Sequence, residues 1–193
     1  MPQHMKEPNN PMPKEWLASE HSLQKIASYK PFNFVDGEGV RCSLYVSGCL
    51  FNCPGCYNVV AQNFNYGHEY TQELENQIIE DLSQSYVQGL TLLGGEPFLN
   101  TQVCLKLLKR IRKEFGDTKD VWSWTGYKWD ELMQESDDKL EMLSYVDILI
   151  DGRFLEAKKD LTLQFRGSSN QNIIDVKKSL AQDKVVIWDK LVK

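Results

Sequence analysis

The stretch CSLYVSGCLFNCPGCYN, residues 42 to 58, joins two patterns that are each typical of one kind of structure. In its first part, residues 42–47, apolar and polar side chains alternate, which predicts a β-strand with one buried face. Its second part places Cys49, Cys53 and Cys56 within eight positions, beside glycine and proline residues that allow tight turns. The stretch therefore predicts a strand whose carboxyl end delivers three thiols to one loop.

The strand pattern recurs along the chain and alternates with helical patterns. Apolar runs at 89–93, 121–125 and 146–150 predict further strands, and the run at 185–188 predicts a weaker fifth one. Two segments between the runs show helical spacing of apolar residues, the first of them capped by Thr71: Leu74, Ile78, Ile79 and Leu82, then Cys104, Leu107, Leu108, Ile111 and Phe115. This alternation indicates right-handed crossovers and a mostly parallel sheet, with ligands bound beyond the carboxyl ends of the strands. Because a closed barrel needs eight strands, we predict an α/β fold that is a partial (β/α) barrel or an open sheet.

Length and composition favour one globular domain that needs no covalent cross-links. The chain has 193 residues, of which 41% are hydrophobic, and a net charge of -5. We find no signal-peptide core and no apolar run of the ~20 residues that span a membrane, so we expect a soluble, cytoplasmic protein without membrane contact. The acidic balance offers no basic face, so nucleic acid is not an expected partner.

The N-terminal segment, residues 1–30, has a different composition from the rest of the chain. Four of the seven prolines lie in its first thirteen residues, which favours a loose arm. A short helix is predicted after the arm, from about Glu15 to Ala27. We expect no chemistry in this segment.

Two of the five cysteines fit the protein core. Cys42 lies in phase with Leu44 and Val46 on one strand face, and Cys104 lies on the apolar stripe of its helix. A buried free cysteine behaves as a small hydrophobic side chain. The three remaining cysteines require another explanation, and in a reducing compartment clustered thiols indicate metal binding or catalysis rather than disulfides.

The three clustered thiols are one ligand short of a closed metal site. A structural zinc site needs four ligands, and apart from this cluster the sequence offers only lone histidines, so zinc completed by His68 is an alternative that depends on a single residue. An iron-sulfur cluster with four thiolates would need a cysteine from a predicted core position. A cubane cluster bound at three irons fits the residues, and its open fourth iron indicates a site for a substrate or cofactor.

The spacing CxxxCxxC followed by an aromatic residue resembles the cluster motif of the radical S-adenosylmethionine enzymes. The resemblance implies a 4Fe-4S cluster held by Cys49, Cys53 and Cys56, with S-adenosylmethionine bound at the open iron. In these enzymes reductive cleavage yields methionine and a 5'-deoxyadenosyl radical, so the cofactors carry the chemistry and we predict no catalytic side chain. It also implies a partial (β/α) barrel of the radical SAM type over residues 31–193.

The same resemblance implies further cofactor-binding residues. Tyr57 would cover the adenine or the cluster, and the GGEP motif would receive the ammonium group of S-adenosylmethionine, with Glu96 orienting rather than exchanging protons. Asp151 and Arg153 follow the strand at 146–150 and would hold ribose hydroxyls and the methionine carboxylate. The predicted set comprises Gly55, Tyr57, Gly94, Gly95, Glu96, Asp151 and Arg153.

Four motifs in order define a narrower resemblance: CPGCYN, WSWTGY at 122–127, DGRF at 151–154 and RGSSNQ at 166–171. From about Phe32 to Val176 the chain resembles the activating proteins of anaerobic ribonucleoside-triphosphate reductases. This implies that it installs a glycyl radical on the large reductase subunit, with a low-potential electron donor such as a flavodoxin. Residues predicted to line the pocket rim or receive the partner are Arg166, Ser168, Ser169, Asn170 and Gln171.

Two other functions fit parts of the sequence. A compact radical enzyme with the same cofactors could act on a small molecule, although the motifs after Gly126 favour a protein substrate. Alternatively, a noncatalytic iron-sulfur or zinc module could dock onto a partner. The module would hold metal without cleaving S-adenosylmethionine.

Overall fold

The structure is a computed structural model that describes residues 7–190. Its strands are β1 (Lys25–Asn33), β2 (Val40–Val46), β3 (His68–Glu69), β4 (Val87–Gly94), β5 (Asp120–Trp124), β6 (Ile148–Asp151) and β7 (Asn172–Asp175). Its helices are α1 (Ala18–His21), α2 (Gln72–Leu82), α3 (Thr101–Phe115), α4 (Trp129–Leu132), α5 (Asp137–Tyr145) and α6 (Val176–Gln182). The first six residues of the predicted arm, including His4, lie outside the described part.

All seven strands form one sheet in the order β3-β1-β2-β4-β5-β6-β7. The four strands β2, β4, β5 and β6 are parallel to one another, whereas β1, β3 and β7 add to the two sides in antiparallel pairings. Within residues 7–190 the sheet runs from β3 at one edge to β7 at the other and does not close. The predicted α/β class is confirmed, and the sheet is mixed, with its parallel part confined to the centre.

The four strong apolar runs predicted strands correctly. They coincide with β2, β4, β5 and β6, whose residues are almost all buried because helices cover the sheet centre. The run at 185–188 forms no strand, and Ile187 makes only an isolated bridge to Ile174. The strands β1, β3 and β7 were not predicted. Most residues of β1 are half-buried or exposed, both residues of β3 are exposed, and β7 has only two apolar residues, Ile173 and Ile174.

The predicted N-terminal helix is wrong beyond one turn. Helix α1 covers only Ala18–His21, and β1 begins at Lys25. Pro31 falls inside β1, at a register irregularity between Lys30 and Asn33, which an edge strand tolerates. The arm before α1 is also not loose over its described residues, since Asn9 and Lys14 hydrogen-bond to the rest of the protein.

Both predicted amphipathic helices are confirmed. Thr71 caps α2, and its side chain accepts a hydrogen bond from the backbone N–H of Leu74 at 3.2 Å. The apolar faces of α2 and α3 pack on the sheet, and the predicted core cysteines Cys42 and Cys104 are fully buried. No helix within residues 7–190 has the length and apolar character needed to cross a membrane.

The parallel strands bring the sequence motifs to one edge of the sheet. Val46 of β2 is paired with Gly94 of β4, and Trp124 of β5 with Ile150 of β6, so these strands end side by side. The cysteine loop, the GGEP motif and the DGRF motif therefore start at neighbouring points. Ligands of open α/β sheets bind at such an edge.

Candidate functional site

A cavity of about 620 Å³ opens at this edge of the sheet. It is bordered by the loops that follow β2, β4, β5 and β6 and by the loop that precedes β7. Of the predicted site residues, those that line it are Cys49, Cys53, Gly55, Cys56, Tyr57, Gly94, Gly95, Glu96, Arg153, Arg166 and Gln171. The cavity lining does not include Asp151, Ser168, Ser169 or Asn170.

The three clustered cysteines are free thiols with partial exposure on one cavity. A turn joins two of them, in which the N–H of Cys56 donates to the carbonyl of Cys53 at 3.2 Å. Among residues 7–190, no three His, Cys, Asp or Glu side chains converge closely enough to hold a single metal ion. The donor set is that of an iron-sulfur cluster, a group larger than one ion, so the residues present fit such a cluster.

The protonation of two of these thiols, Cys49 and Cys53, also fits metal ligands rather than nucleophiles. Burial, together with the nearby charge of Glu96, raises the pKa of Cys49 well above its usual range. Burial raises the pKa of Cys53 to about 11. A nucleophilic cysteine needs a lowered pKa, whereas a metal displaces the proton as it binds the thiolate. Metal binding should therefore release protons from this loop.

The GGEP motif seats the cysteine loop on the end of β4. A Cβ atom on Gly95 would lie 2.5 Å from the carbonyl oxygen of Gly48 and 2.8 Å from that of Ala61, so only glycine fits. The backbone N–H of Glu96 donates to the same Gly48 carbonyl at 2.8 Å. The sequence predicts that the GGEP motif receives the ammonium group of S-adenosylmethionine. The second glycine also makes room for the backbone that carries Cys49.

Glu96 is fully buried and joins two loops. One carboxylate oxygen accepts from the N–H of Phe98 at 3.0 Å and the hydroxyl of Thr125 at 2.9 Å, and the other accepts from the N–H of Gly126 at 2.8 Å. Burial raises the pKa of Glu96 to about 7, although these hydrogen bonds oppose the shift. With its oxygens bonded to protein donors, the carboxyl group is placed to orient the loops after β4 and β5.

The DGRF motif contributes one cavity residue and one internal support. Asp151 is buried away from the cavity and accepts from the N–H of Trp129 and from the N–H and side-chain amide of Asn172, at 2.9 to 3.0 Å. Arg153 lines the cavity but bonds both carboxylate oxygens of Glu131 and lies over the ring of Phe51, 4.9 Å from its centroid. The structure therefore does not bring Asp151 to the same space as Arg153.

The RGSSNQ segment is a hydrogen-bonded turn rather than a flexible loop. Ser168 is fully buried, and its hydroxyl accepts from the N–H of Leu155 at 3.2 Å. The Gln171 side chain accepts from the Ser168 N–H and donates to the Gly152 carbonyl. Asn170 donates to the Arg153 carbonyl at 2.8 Å, which holds the turn against the DGRF motif.

Arg166 is the member of this turn with an unused donor at the cavity. Its Nη1 donates to the Gln171 carbonyl at 3.2 Å, while its buried Nε has no hydrogen-bond partner among the described residues. Ser169, also in this turn, is exposed, and its backbone N–H donates to the carbonyl of Lys158 at 2.9 Å.

Several cavity residues escaped the sequence analysis. Four are aromatic, of which Trp124 and Phe154 lie inside the predicted motifs, and three are not: Phe51, Trp124, Phe154 and Phe165, then Asp36, Lys159 and Leu161. Phe51 lies inside the cysteine loop, so its position offered a signal. Phe165 reaches the cavity through long-range packing on Trp122, with 5.3 Å between ring centroids, for which the sequence carries no local signal.

Fold and site together define an iron-sulfur protein. A family model described as a 4Fe-4S single cluster domain matches residues 35–174, which include all three clustered cysteines and every predicted site residue. An anaerobic ribonucleoside-triphosphate reductase-activating protein of Vibrio cholerae is 44% identical over 149 residues, which cover 75% of this chain and 94% of the relative. A protein of the same name from Haemophilus influenzae is 45% identical over 149 residues, with the same coverage. Another from Enterobacteria phage T4 is 41% identical over 147 residues, covering 74% of this chain and 88% of the relative.

The chain therefore belongs to the family of anaerobic ribonucleoside-triphosphate reductase-activating proteins. The resemblance found in the four sequence motifs is confirmed.

Proposed function

We propose that the protein installs a glycyl radical on the large subunit of an anaerobic ribonucleoside-triphosphate reductase. The observation that carries this proposal is the set of three free thiols around one cavity of about 620 Å³, in a chain of the activating-protein family. Cys49, Cys53 and Cys56 would hold a 4Fe-4S cluster. When bound, the cluster and S-adenosylmethionine supply a 5'-deoxyadenosyl radical that removes a hydrogen atom from the Cα of one glycine of the reductase.

The cavity residues suit S-adenosylmethionine in three ways. Gly94 and Gly95 bring the end of β4 to the cavity without side chains, so backbone groups can meet the ligand's ammonium group. Arg166 has a buried Nε without a protein partner among the described residues, and this donor suits a carboxylate. Gly55 lines the same wall with a φ of 72°, a conformation that favours glycine, so no side chain there occupies the cavity, and Gln171 lines the rim.

Tyr57 would cover the bound cofactor. The residue is 99% exposed, so its ring has no packing role in the protein itself. It follows the last cysteine directly and lines the cavity. A large aromatic surface without an internal partner suits contact with an adenine ring or with the partner protein.

Neither Arg153, which lines the cavity, nor Asp151, which lies behind its wall, would act as a free charged group. The guanidinium group of Arg153 is bound to Glu131 and lies over Phe51, below the cysteine loop. Asp151 holds the N-terminus of α4 and the start of β7 in place. They would therefore support the binding of ribose hydroxyls and the methionine carboxylate, which the sequence predicts, by holding the surrounding backbone in place.

The open sheet suits a protein substrate. We infer that the parallel centre, β2-β4-β5-β6, corresponds to the partial (β/α) barrel of the radical SAM enzymes and that residues 31–193 form this domain. The cavity would admit a glycine-containing segment of the reductase, with Ser168, Ser169 and Asn170 supporting the rim. A flavodoxin-like donor in the cytoplasm would supply the electron.

One experiment distinguishes this function from the alternatives. The cluster is reconstituted without oxygen, reductant, S-adenosylmethionine and the reductase subunit are added, and electron paramagnetic resonance is recorded. We expect a glycyl doublet together with 5'-deoxyadenosine. Cleavage without a protein radical would contradict the proposal and favour a small-molecule substrate. A stable cluster without cleavage would favour a docking module.

A further inference from the structure

Asn9 of the N-terminal arm is hydrogen-bonded to the cysteine loop. Its backbone N–H donates to the carbonyl of Phe51 at 2.7 Å, and its side-chain amide donates to the carbonyl of Leu50 at 2.6 Å. Both carbonyls belong to the three-residue span between Cys49 and Cys53. The arm, which the composition marked as loose and without chemistry, therefore holds the loop that carries two predicted cluster ligands.

The arm is itself anchored at this contact and after it. The carbonyl of Asn9 accepts from Nε of Arg153 at 2.9 Å, and the side-chain oxygen of Asn10 accepts from Nη2 of Arg153 at 2.7 Å. Further along, the N–H of Lys14 donates to the carboxylate of Glu135 at 3.1 Å. Asn9 thus connects the cysteine loop to a fixed guanidinium group rather than to a free end.

An aromatic stack extends the same support under the loop. The Trp16 ring lies edge-on to Phe51 with 5.1 Å between centroids, and Phe51 lies edge-on to Tyr127 at 4.9 Å. The Trp16 carbonyl accepts from the buried ammonium group of Lys139 at 2.6 Å. The side chain in the middle of the Cys49–Cys53 span is therefore held from one side by the arm and from the other by the domain.

The span itself has a conformation that needs support. Asn52 has a φ of 50°, in the left-handed region that is uncommon for residues other than glycine. Residues in this region persist when surrounding contacts hold them. The Asn9 bonds act on the two residues immediately before it.

We propose that Asn9 is a positioning residue for the cluster. It fixes the backbone between Cys49 and Cys53 so that the two thiols keep the separation that the cluster requires. This inference rests on the proposed function, because it assumes that these cysteines hold the cluster. Asn9 lies outside residues 35–174, the part matched by the cluster-domain family, so the clamp is an addition to that domain.

The test compares full-length variants that carry a reconstituted cluster. Asn9→Ala removes the amide donor to Leu50, and Asn9→Asp places a carboxylate oxygen against the Leu50 carbonyl. Asn10→Ala is the matched control, because it changes the neighbouring residue and leaves both bonds to the loop. Iron release to a chromogenic iron(II) chelator is followed without oxygen, and the spectrum of the reduced cluster is recorded by electron paramagnetic resonance.

We expect Asn9→Ala to release iron about fivefold faster than the wild type, the factor that the loss of one hydrogen bond gives. Asn9→Asp should release it faster still, and both should change the spectrum of the reduced cluster. Asn10→Ala keeps both bonds to the loop and loses one bond to Arg153, so it should release iron more slowly than Asn9→Ala and keep the wild-type spectrum. The thermal midpoints of the cluster-free Asn9→Ala and Asn10→Ala proteins should agree.

Iron release and spectra that are unchanged in both Asn9 variants would overturn the inference and leave the proposed function standing. The inference would also be overturned if Asn10→Ala released iron as fast as Asn9→Ala. It would be overturned too if the cluster-free Asn9→Ala protein had a lower thermal midpoint than the cluster-free Asn10→Ala protein. A wild-type protein that holds no cluster would overturn both. The Asn9 inference can therefore fail while the assignment of the cysteines as cluster ligands stands.

Discussion

At the scale of single residues, Cys53 and Cys104 have the same side chain in different environments. Cys53 borders the cavity, whereas Cys104 is fully buried in the core on α3. We expect Cys53→Ala to abolish cluster binding, because three thiolates are the whole predicted ligand set. Cys104→Ala should keep the cluster and lower the free energy of unfolding by about 1 kcal/mol. Iron and sulfide content after reconstitution measures the first effect, and denaturant unfolding the second.

Equal cluster content in the Cys53→Ala and wild-type proteins would refute the ligand assignment. Cluster loss in Cys104→Ala without a fall in stability would assign this buried thiol to the metal. The two variants change the same atoms, so they separate ligation from packing.

Glu96 gives the apo protein a specific pH dependence. Burial raises its folded-state pKa from 4.5 to about 7, so the folded protein binds this proton more tightly than the unfolded chain. The free energy of unfolding contributed by Glu96 therefore falls as pH rises from about 4.5 to 7, by a total of about 3 kcal/mol. Glu96→Gln should remove this dependence, although it also loses the bond to Gly126. Denaturant unfolding of cluster-free protein at pH 5 and 8 measures the change.

Glu75 provides a control of opposite sign. Burial raises its pKa, but hydrogen bonds from Arg110, Gln72 and neighbouring groups outweigh that effect, and the net pKa is lowered. The stability that Glu75 contributes is present above its unfolded pKa and is lost as pH falls towards the folded value.

The prediction for Glu96 would be contradicted if the free energy of unfolding of the wild type, relative to that of Glu96→Gln, increased as pH rises.

At the scale of elements, the contact between the cysteine loop and β4 depends on Gly95. Gly95→Ala forces a methyl group to within 2.5 Å of the Gly48 carbonyl, where backbone rather than a flexible side chain must move. We expect the variant to lose most of its cluster and to unfold at lower denaturant concentration. Cluster content and the denaturation midpoint of the variant measure these effects.

Gly116→Ala is the matched control for that substitution. Gly116 ends α3 with a φ of 57° and a ψ of −128°, outside the left-handed helical region, and its Cβ would meet nothing within 4 Å, so the cost is that of this backbone conformation alone, about 1–3 kcal/mol. The control should keep the cluster. A Gly95→Ala protein that behaves like Gly116→Ala would show that the loop does not need this close approach.

The elements that the sequence predicted are those with a strong local pattern. Apolar runs predicted β2, β4, β5 and β6 because both faces of the central sheet are buried, and helical spacing predicted α2 and α3. The pattern of apolar runs did not predict β1, because Pro31 and several exposed residues interrupt the apolar residues of this strand. It also overestimated 185–188, where Trp188 packs against the sheet and Ile187 makes one isolated bridge to Ile174 of β7 without extending into a strand.

At the scale of the whole molecule, the site combines local and distant signals. The cysteine cluster and the GGEP motif could be predicted from the sequence, because each lies in one short segment. The cavity contact of Phe165 and the two bonds from Asn9 to the cysteine loop arise between segments far apart in the chain, and the acceptors of both Asn9 bonds are backbone carbonyls, which every sequence shares. Asp151 is the last residue of β6 rather than the first residue after the strand, and its carboxylate is buried in bonds to Trp129 and Asn172.

The central claim is that this chain removes a hydrogen atom from the Cα of one glycine in the reductase. The most direct measurement uses reductase subunit labelled with Cα-deuterated glycine, incubated without oxygen with cluster-loaded protein, reductant and S-adenosylmethionine. We predict that the 5'-deoxyadenosine formed carries deuterium in proportion to the glycyl radical that appears. Unlabelled 5'-deoxyadenosine accompanying a full yield of glycyl radical would contradict direct transfer, and a reductase without any radical would contradict the function.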